Sequence, residues 1–257
     1  MIDIQSQSDT RAIALLKVGV KGLEYPIRVL DKMKKIQYTT AHVDLYANVL
    51  PCFKGTHMSR FIEVFHQYRE DISMHRFLDM LRQVRSSLEA ESAFGQVSFP
   101  FFIEKAAPVS GLMGMMSYQC HYQGRVDSSG RQFTVTISVP LTTVCPCSKA
   151  ISSRGAHNQR GMVTVNLELG PFFWIEDIIA LVEDCASSPV YALLKREDEK
   201  YVTEQAYDNP KFVEDLVRDV YTSIRALQQF PSFSVEAETY ESIHNHNAFA
   251  YTEYHRG

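Results

Sequence analysis

The sequence predicts an α+β fold built from two similar halves, and three observations predict it. Several segments alternate apolar and polar residues with the period of two that suits a half-buried strand. Other segments repeat their apolar residues at helical spacing. The order strand, strand, helix, helix, strand, strand then occurs twice along the 257 residues, on either side of a turn at Asp127-Ser128-Ser129-Gly130. Antiparallel hairpins with paired helices on one face of the sheet are the architecture this order favours.

In the first half, Ala41, Val43, Leu45, Ala47 and Val49 alternate with His42, Asp44, Tyr46 and Asn48, a strand expected to pair with YPIRVL at 25–30. Phe61, Ile62 and Phe65 predict one helix face. Met74, Phe77, Leu78, Leu81 and Leu88 predict a second helix. Val97, Phe99, Phe101 and Ile103 alternate again, and GLMGMMSYQCHYQGRV runs extended up to the turn.

The second half repeats the order. Phe133, Val135, Ile137 and Val139 predict a strand, and Val163, Val165, Leu167 and Leu169 another. A helix is expected from near Pro171 through Ile178, Ile179, Val182 and Cys185. A further helix is expected to start at Asn209-Pro210, since asparagine caps helices and proline lacks the N–H that a first turn leaves unbonded. Its apolar stripe is Phe212, Val213, Leu216, Val217, Val220, Tyr221, Ile224 and Leu227, and FSVEAETY and NAFAYTEY close the chain. The two modules are placed at 1–128 and 129–257. Such a sheet needs its edges covered or paired, so assembly into an oligomer is expected.

Composition narrows the class. With 45% hydrophobic and 22% charged residues the chain is ordinary globular protein. A net charge of -4 and a pI near 6.1 exclude a general nucleic-acid binder, which would be basic. No apolar stretch approaches the roughly 20 residues of a membrane helix. The N-terminal MIDIQSQSDTRA lacks the basic-then-apolar order of a signal peptide, so the cytoplasm is the expected compartment. Thiols stay reduced there, and the odd set Cys52, Cys120, Cys145, Cys147 and Cys185 is not a disulfide framework.

Four stretches carry chemistry. CPCSKAISSRGAHNQRG at 145–161 puts Cys145 and Cys147 two apart at the end of a strand, where their side chains share a face if the strand continues, with His157 in the loop beyond. Thiolate and imidazole are ligands for zinc, iron or manganese, and a site with few protein ligands leaves a position open for water. In ESIHNH, Glu241 and His244 stand three apart and can converge on one substrate. DEKYVTEQAYDNPKFVED holds Asp198, Glu199, Glu204, Asp208, Glu214 and Asp215, which read mostly as a solvated acidic surface. In KGTHMSR, Lys54, His57, Ser59 and Arg60 precede the first helix; with its glycine and helix N-terminus this set suits a phosphate, although it lacks Walker spacing. Lys149, Arg154, Arg160, Lys195 and Arg196 are further cations for an anion pocket.

Taken together, VPLTTVCPCSKAISSRGAHNQRG, KGTHMSRFIE, LKREDEKYVTEQAYDNPKFVED and ESIHNHNAFA resemble the type IB GTP cyclohydrolases, in the same order and over nearly the whole chain. The resemblance implies a bimodular tunnelling fold with two ββααββ modules, assembled as a homotetramer with active sites at subunit interfaces. It implies conversion of GTP and water to 7,8-dihydroneopterin triphosphate and formate, the first step toward tetrahydrofolate; some members feed modified tRNA bases. It also implies one divalent metal per active site, manganese, zinc or iron. By motif, Cys145 and His157 are the metal-site pair, with Cys147 a weaker competitor for Cys145, and Glu199 stands beside the metal. Glu214 is the carboxylate that grips the guanine edge, and Glu241 and His244 lie close to the reacting centre. Two rival functions are a tunnelling-fold nitrile reductase, which uses a nucleophilic cysteine on a 7-deazaguanine with NADPH, and a purine-binding module with a closed structural metal and no turnover.

Overall fold

The computed structural model describes Gln5 and residues 7–256. Strands β1 (Leu15–Asp31) and β2 (Lys35–Val49) pair antiparallel, setting Tyr25 against Ala41 and Arg28 against Tyr38, as expected for the YPIRVL run. The alternation on β2 is realised as burial: Ala41, Val43, Leu45, Ala47 and Val49 all lie in the core. Helices α1 (Met58–Tyr68) and α2 (Met74–Ser87) follow, then β3 (Ala93–Ala106) and β4 (Met113–Asp127). The Asp127 carboxylate accepts from the N–H groups of Ser129 and Gly130 and so closes the predicted turn into β5 (Gly130–Val144).

The rest of the chain forms α3 (Pro146–Ile151), β6 (Asn158–Glu168), α4 (Ile175–Asp184), β7 (Ser188–Pro189), α5 (Arg196–Asp208), α6 (Val213–Ala226), β8 (Ser232–Thr239) and β9 (Ala248–His255). The strand order is β1-β2-β3-β4-β5-β6-β8-β9, with β7 pairing off β5. Each half thus keeps the expected ββααββ order, and the second adds α3, β7 and α5 to it. By its internal contacts the chain divides into two compact units, Met1–Pro100 with His121–Val135, and Phe101–Cys120 with Thr136–Gly257. Both are discontinuous in sequence because β3, β4 and β5 run from one into the other.

In the first unit, α2 lies directly against the sheet over two glycines. A Cβ on Gly95 would stand 2.8 Å from the Leu81 side chain, and one on Gly124 would stand 2.9 Å from the Phe77 ring. The missing side chains let Phe77 sink into an aromatic cluster, 5.3 Å from Phe133 and 6.2 Å from Tyr122, ring centre to ring centre. Phe99 joins at 5.1 Å from Tyr122. In the second unit, α4 and α6 pack together, and Tyr221 of α6 meets Phe233 of β8 at 5.2 Å. All five cysteines are free thiols.

Five local expectations need correction. Ile62 is exposed, and α1 buries Phe61, Val64 and Phe65 instead, since Val64 and Phe65 stand three and four positions beyond Phe61 and flank its face, while Ile62 is turned about 100° from it. Helix α4 begins at Ile175, four residues beyond Pro171, and Cys185 lies just past its end. Helix α6 begins at Val213, beyond Asn209-Pro210, because the Lys211 N–H is drawn off to the Val144 carbonyl at 3.0 Å and the chain stays extended until Phe212. The segment read as acidic surface contains α5. Strand β5 stops at Val144, so Cys145 and Cys147 do not share a strand face: Cys145 caps α3, Pro146 occupies its first turn, and Cys147 is exposed.

Phe77→Ala is expected to lower unfolding stability by about 3–5 kcal/mol, the usual cost of emptying a filled aromatic site. A urea titration measures it as a shift in midpoint at unchanged slope.

Candidate active site

Four segments of the second unit meet at the end of β5, and backbone hydrogen bonds join them. The Cys145 N–H donates to the His157 carbonyl at 3.1 Å, closing the loop that carries both residues. The Lys211 N–H donates to Val144, which brings the approach to α6 alongside. The Tyr240 N–H donates to the Arg160 carbonyl at 2.9 Å and sets the Glu241 loop beside the strand that follows His157. Ser148 reinforces the loop: its hydroxyl donates to the Cys145 carbonyl at 3.1 Å and accepts from the His157 N–H at 3.2 Å. The Lys149 ammonium donates to the Tyr207 carbonyl and lies 4.3 Å above the Tyr207 ring, tying α3 to the end of α5.

Side chains continue the connection inward. His157 Nδ1 lies 2.9 Å from Gln159 Oε1. Gln159 is buried, and its Nε2 donates to Thr143 Oγ1 at 3.0 Å and to Glu241 Oε1 at 3.3 Å. Thr239 Oγ1 donates to the same Glu241 oxygen at 2.8 Å. Glu241 is therefore linked to His157 through a single residue, Gln159, which the sequence reading did not single out. Its place two residues after a candidate ligand, at an inward position of β6, was the available signal. His244 follows in an exposed loop, where its N–H reaches the Glu241 carbonyl at 3.4 Å and its ring stacks on His246 at 5.0 Å.

The structure thus brings together Cys145, His157, Glu241 and the loop of His244. Cys145 and His157 are half-buried, a thiol and an imidazole presented from one closed loop. Glu214 sits in the first turn of α6, three residues beyond the Lys211 contact. It lines a cleft of about 530 Å³ together with Arg218, Tyr221, Tyr251 and Thr252. Glu199 lies exposed on α5. Among the described residues no three His, Cys, Asp or Glu side chains are gathered closely enough to hold a metal, so Glu199 does not join Cys145 and His157 in such a cluster. Arg154 is exposed, and Arg160 lines a second cleft of about 240 Å³ with Asn158, Tyr191 and Thr203.

Lys54, His57, Ser59 and Arg60 belong to the first unit. The N–H groups of Lys54 and Gly55 donate to the carbonyls of Gln7 and Gln5, so this backbone is bonded to the N-terminal segment. The Arg60 guanidinium donates to the Ser87 carbonyl at 2.6 Å, at the end of α2. Lys54 and Ser59 are exposed.

In the acidic segment the residue that matters structurally is Asp198, which is fully buried. Its carboxylate accepts from the N–H groups of Val109 and Ser110, from the Ser110 hydroxyl and from the Lys195 N–H, all within 2.9 Å. Burial pushes the Asp198 carboxyl up, but these hydrogen bonds outweigh it and hold the group well below the usual carboxylate range. An acid at the third helical position, reaching back to the cap, is a readable helix-start signal. The segment before α5 is anchored as well. Lys105 donates to Glu183 Oε2 at 2.7 Å and to the Val190 carbonyl at 3.0 Å, while Tyr118 donates to Glu183 Oε1 at 2.8 Å. Burial pushes the Lys105 ammonium down and the Tyr118 hydroxyl up.

The class follows from the fold. The chain superposes on the uricase of Arthrobacter globiformis with a TM-score of 0.56 at 8% identity, covering 93% of each chain. On the uricase of Bacillus fastidious the TM-score is 0.57 at 6% identity, covering 93% of this chain and 92% of that one. This is the α+β tunnelling fold. Within that class, residues 1–250 match the family model of the type I GTP cyclohydrolase folE2, and the chain belongs to that family. It is 54% identical to the GTP cyclohydrolase FolE2 of Syntrophus aciditrophicus over 253 residues, covering 98% of this chain and 99% of that protein. The FolE2 of Syntrophotalea carbinolica is 50% identical over 254 residues, 99% of this chain and 95% of the relative.

Asp198→Asn is expected to destabilise the protein at neutral pH by weakening the contacts that start α5. A carboxyl depressed by folding contributes stability that is complete above its unfolded value, about 3.9 for aspartate, and that is lost as pH falls toward the lower folded value. The gap in urea midpoint between wild type and variant should therefore be widest near pH 7 and narrow below about pH 4.

Proposed function

We propose that this chain hydrolyses and rearranges GTP to 7,8-dihydroneopterin triphosphate, releasing formate, with a divalent metal held by Cys145 and His157. The observation that carries this reading is the closed loop between those two residues, joined through the buried Gln159 to the carboxylate of Glu241. The donor set fits a metal: one closed loop carries a half-buried thiol and a half-buried imidazole whose Nδ1 is already bonded, while its Nε2 makes no hydrogen bond among the described residues. Thiolate and imidazole suit zinc or iron.

A divalent cation held there would activate water near neutral pH for attack on the poorly electrophilic C8 of guanine. The remaining roles fall to side chains. Protonation at N7 activates C8, and His244 is the acid for it, because imidazole ordinarily titrates nearest to neutral pH. Glu241 takes both of its hydrogen bonds on Oε1 and keeps Oε2 for exchanging protons with His244 or substrate. Glu214, at the mouth of the α6 cleft, accepts from guanine N1–H and N2–H, a two-point contact. In the second unit Arg154 and Arg160 are exposed cations suited to a phosphate, and Lys149 is engaged on a carbonyl. In the first unit Lys54 is exposed in the same stretch as His57 and Ser59, with Arg60 engaged on a carbonyl, a separate set also suited to a phosphate. In this reading the enzyme works in the cytoplasm as a homotetramer whose sites are completed at subunit interfaces, and its product leads to tetrahydrofolate.

Cys145→Ala and His157→Ala are each expected to lose metal on gel filtration and to release no formate from GTP, while circular dichroism stays that of the wild type. A fully active Cys145→Ala protein would overturn the assignment. Glu214→Ala removes two charge-assisted contacts and should raise KM for GTP at least about tenfold, about 1.4 kcal/mol. Unchanged discrimination between GTP and ITP, which lacks the exocyclic amine, would exclude that role.

A further inference from the structure

We infer that Gln159 is a positioning residue that holds His157 as its Nδ1–H tautomer and so keeps Nε2 unprotonated for a metal. This rests on the metal-dependent reading above and extends it to a residue that touches neither substrate nor ion.

An ionised carboxylate only accepts hydrogen bonds. The Gln159 atom 3.3 Å from Glu241 Oε1 must therefore be the amide nitrogen, and its second hydrogen goes to Thr143 Oγ1 at 3.0 Å. The orientation of the Gln159 amide, which is otherwise ambiguous by a flip, is fixed by its neighbours. The amide oxygen then faces His157 Nδ1 at 2.9 Å, and an oxygen there can only accept. So Nδ1 carries the proton, and in the neutral ring Nε2 keeps its lone pair. Thr239 Oγ1, donating to Glu241 Oε1 at 2.8 Å, holds the far end of the chain in place. Gln159, Thr143 and Thr239 are all buried, so water does not compete for these bonds. The opposite tautomer would set a bare Nδ1 against the amide oxygen, lone pair against lone pair, inside the protein.

The test uses the full-length protein, labelled with nitrogen-15 in histidine and stripped of metal. Long-range nitrogen–proton spectra at a pH where the ring is neutral read the tautomer directly. Wild type should show His157 as the Nδ1–H form. Gln159→Met, close in volume and without polar atoms, should give a mixture of tautomers and bind added Mn²⁺ or Zn²⁺ about 10–100-fold more weakly, the usual effect of losing a ligand's outer partner. If Gln159→Met fails to fold, the exchange variant Gln159→Glu with Glu241→Gln reverses the bond between the two positions but still sets an acceptor oxygen against His157 Nδ1, and should show the Nδ1–H form. A wild-type protein with Nε2–H at His157, or a Gln159→Met protein or an exchange variant whose tautomer departs from these expectations, overturns the inference. A Gln159→Met protein that binds metal as tightly as wild type overturns it too. If the tautomers behave as stated but wild type takes up no metal, it is the proposed function that fails, and the two outcomes are separable.

Discussion

The site depends on one backbone hydrogen bond, from the Cys145 N–H to the His157 carbonyl. Eleven residues lie between the two positions, and a loop of that length visits many shapes unless its ends are tied. The bond fixes where the thiol and the imidazole start from. Pro146 then forces the chain into a helical turn directly after Cys145, so the strand cannot run on and turn Cys147 toward the same face. Ser148 spans the loop with one bond at each end. Donor side chains placed on a scaffold tied in this way need little further ordering when a ligand arrives, which favours binding.

Around this loop the protein uses buried polar groups as anchors. Asp198 gathers N–H groups from the segment that follows β3 and from the start of α5, and Lys105 with Glu183 and Tyr118 holds the stretch that leads into that helix. Lys149 then joins α3 to the end of α5. The mostly polar helix α5 buries little besides Asp198 and Ala206, so it is held by its capping and end contacts rather than by an apolar face. Buried charges of this kind are tolerable only when every lone pair is met, and Asp198 meets that condition.

The likeness to uricases at 6% to 8% identity shows how little of this frame depends on side-chain identity beyond the apolar alternation. Strand period, helix face and turn position are enough to specify the layers. The chemistry resides in the loops at strand ends, where Cys145, His157, Glu241 and His244 are found, and these can change without cost to the sheet.

The strands and the order of the principal elements are legible along the chain, because burial on one face leaves a period that can be counted, as at Ala41 to Val49 or Val163 to Leu167. The family is legible as well, through four motifs too long and too ordered to arise separately, and with them the candidate pair Cys145 and His157. Where α6 starts follows from folding, since the Lys211 N–H bonds to the Val144 carbonyl, a partner 67 positions away, and the chain stays extended past Pro210. Tertiary contacts alone also separated Asp198 from the acids around it, because burial of a carboxylate depends on donors from a distant segment and leaves no local period. The place of Gln159 between a histidine and a glutamate was invisible for the same reason: Glu241 reaches it across 82 residues, and spacing along a chain carries no record of what folding brings opposite.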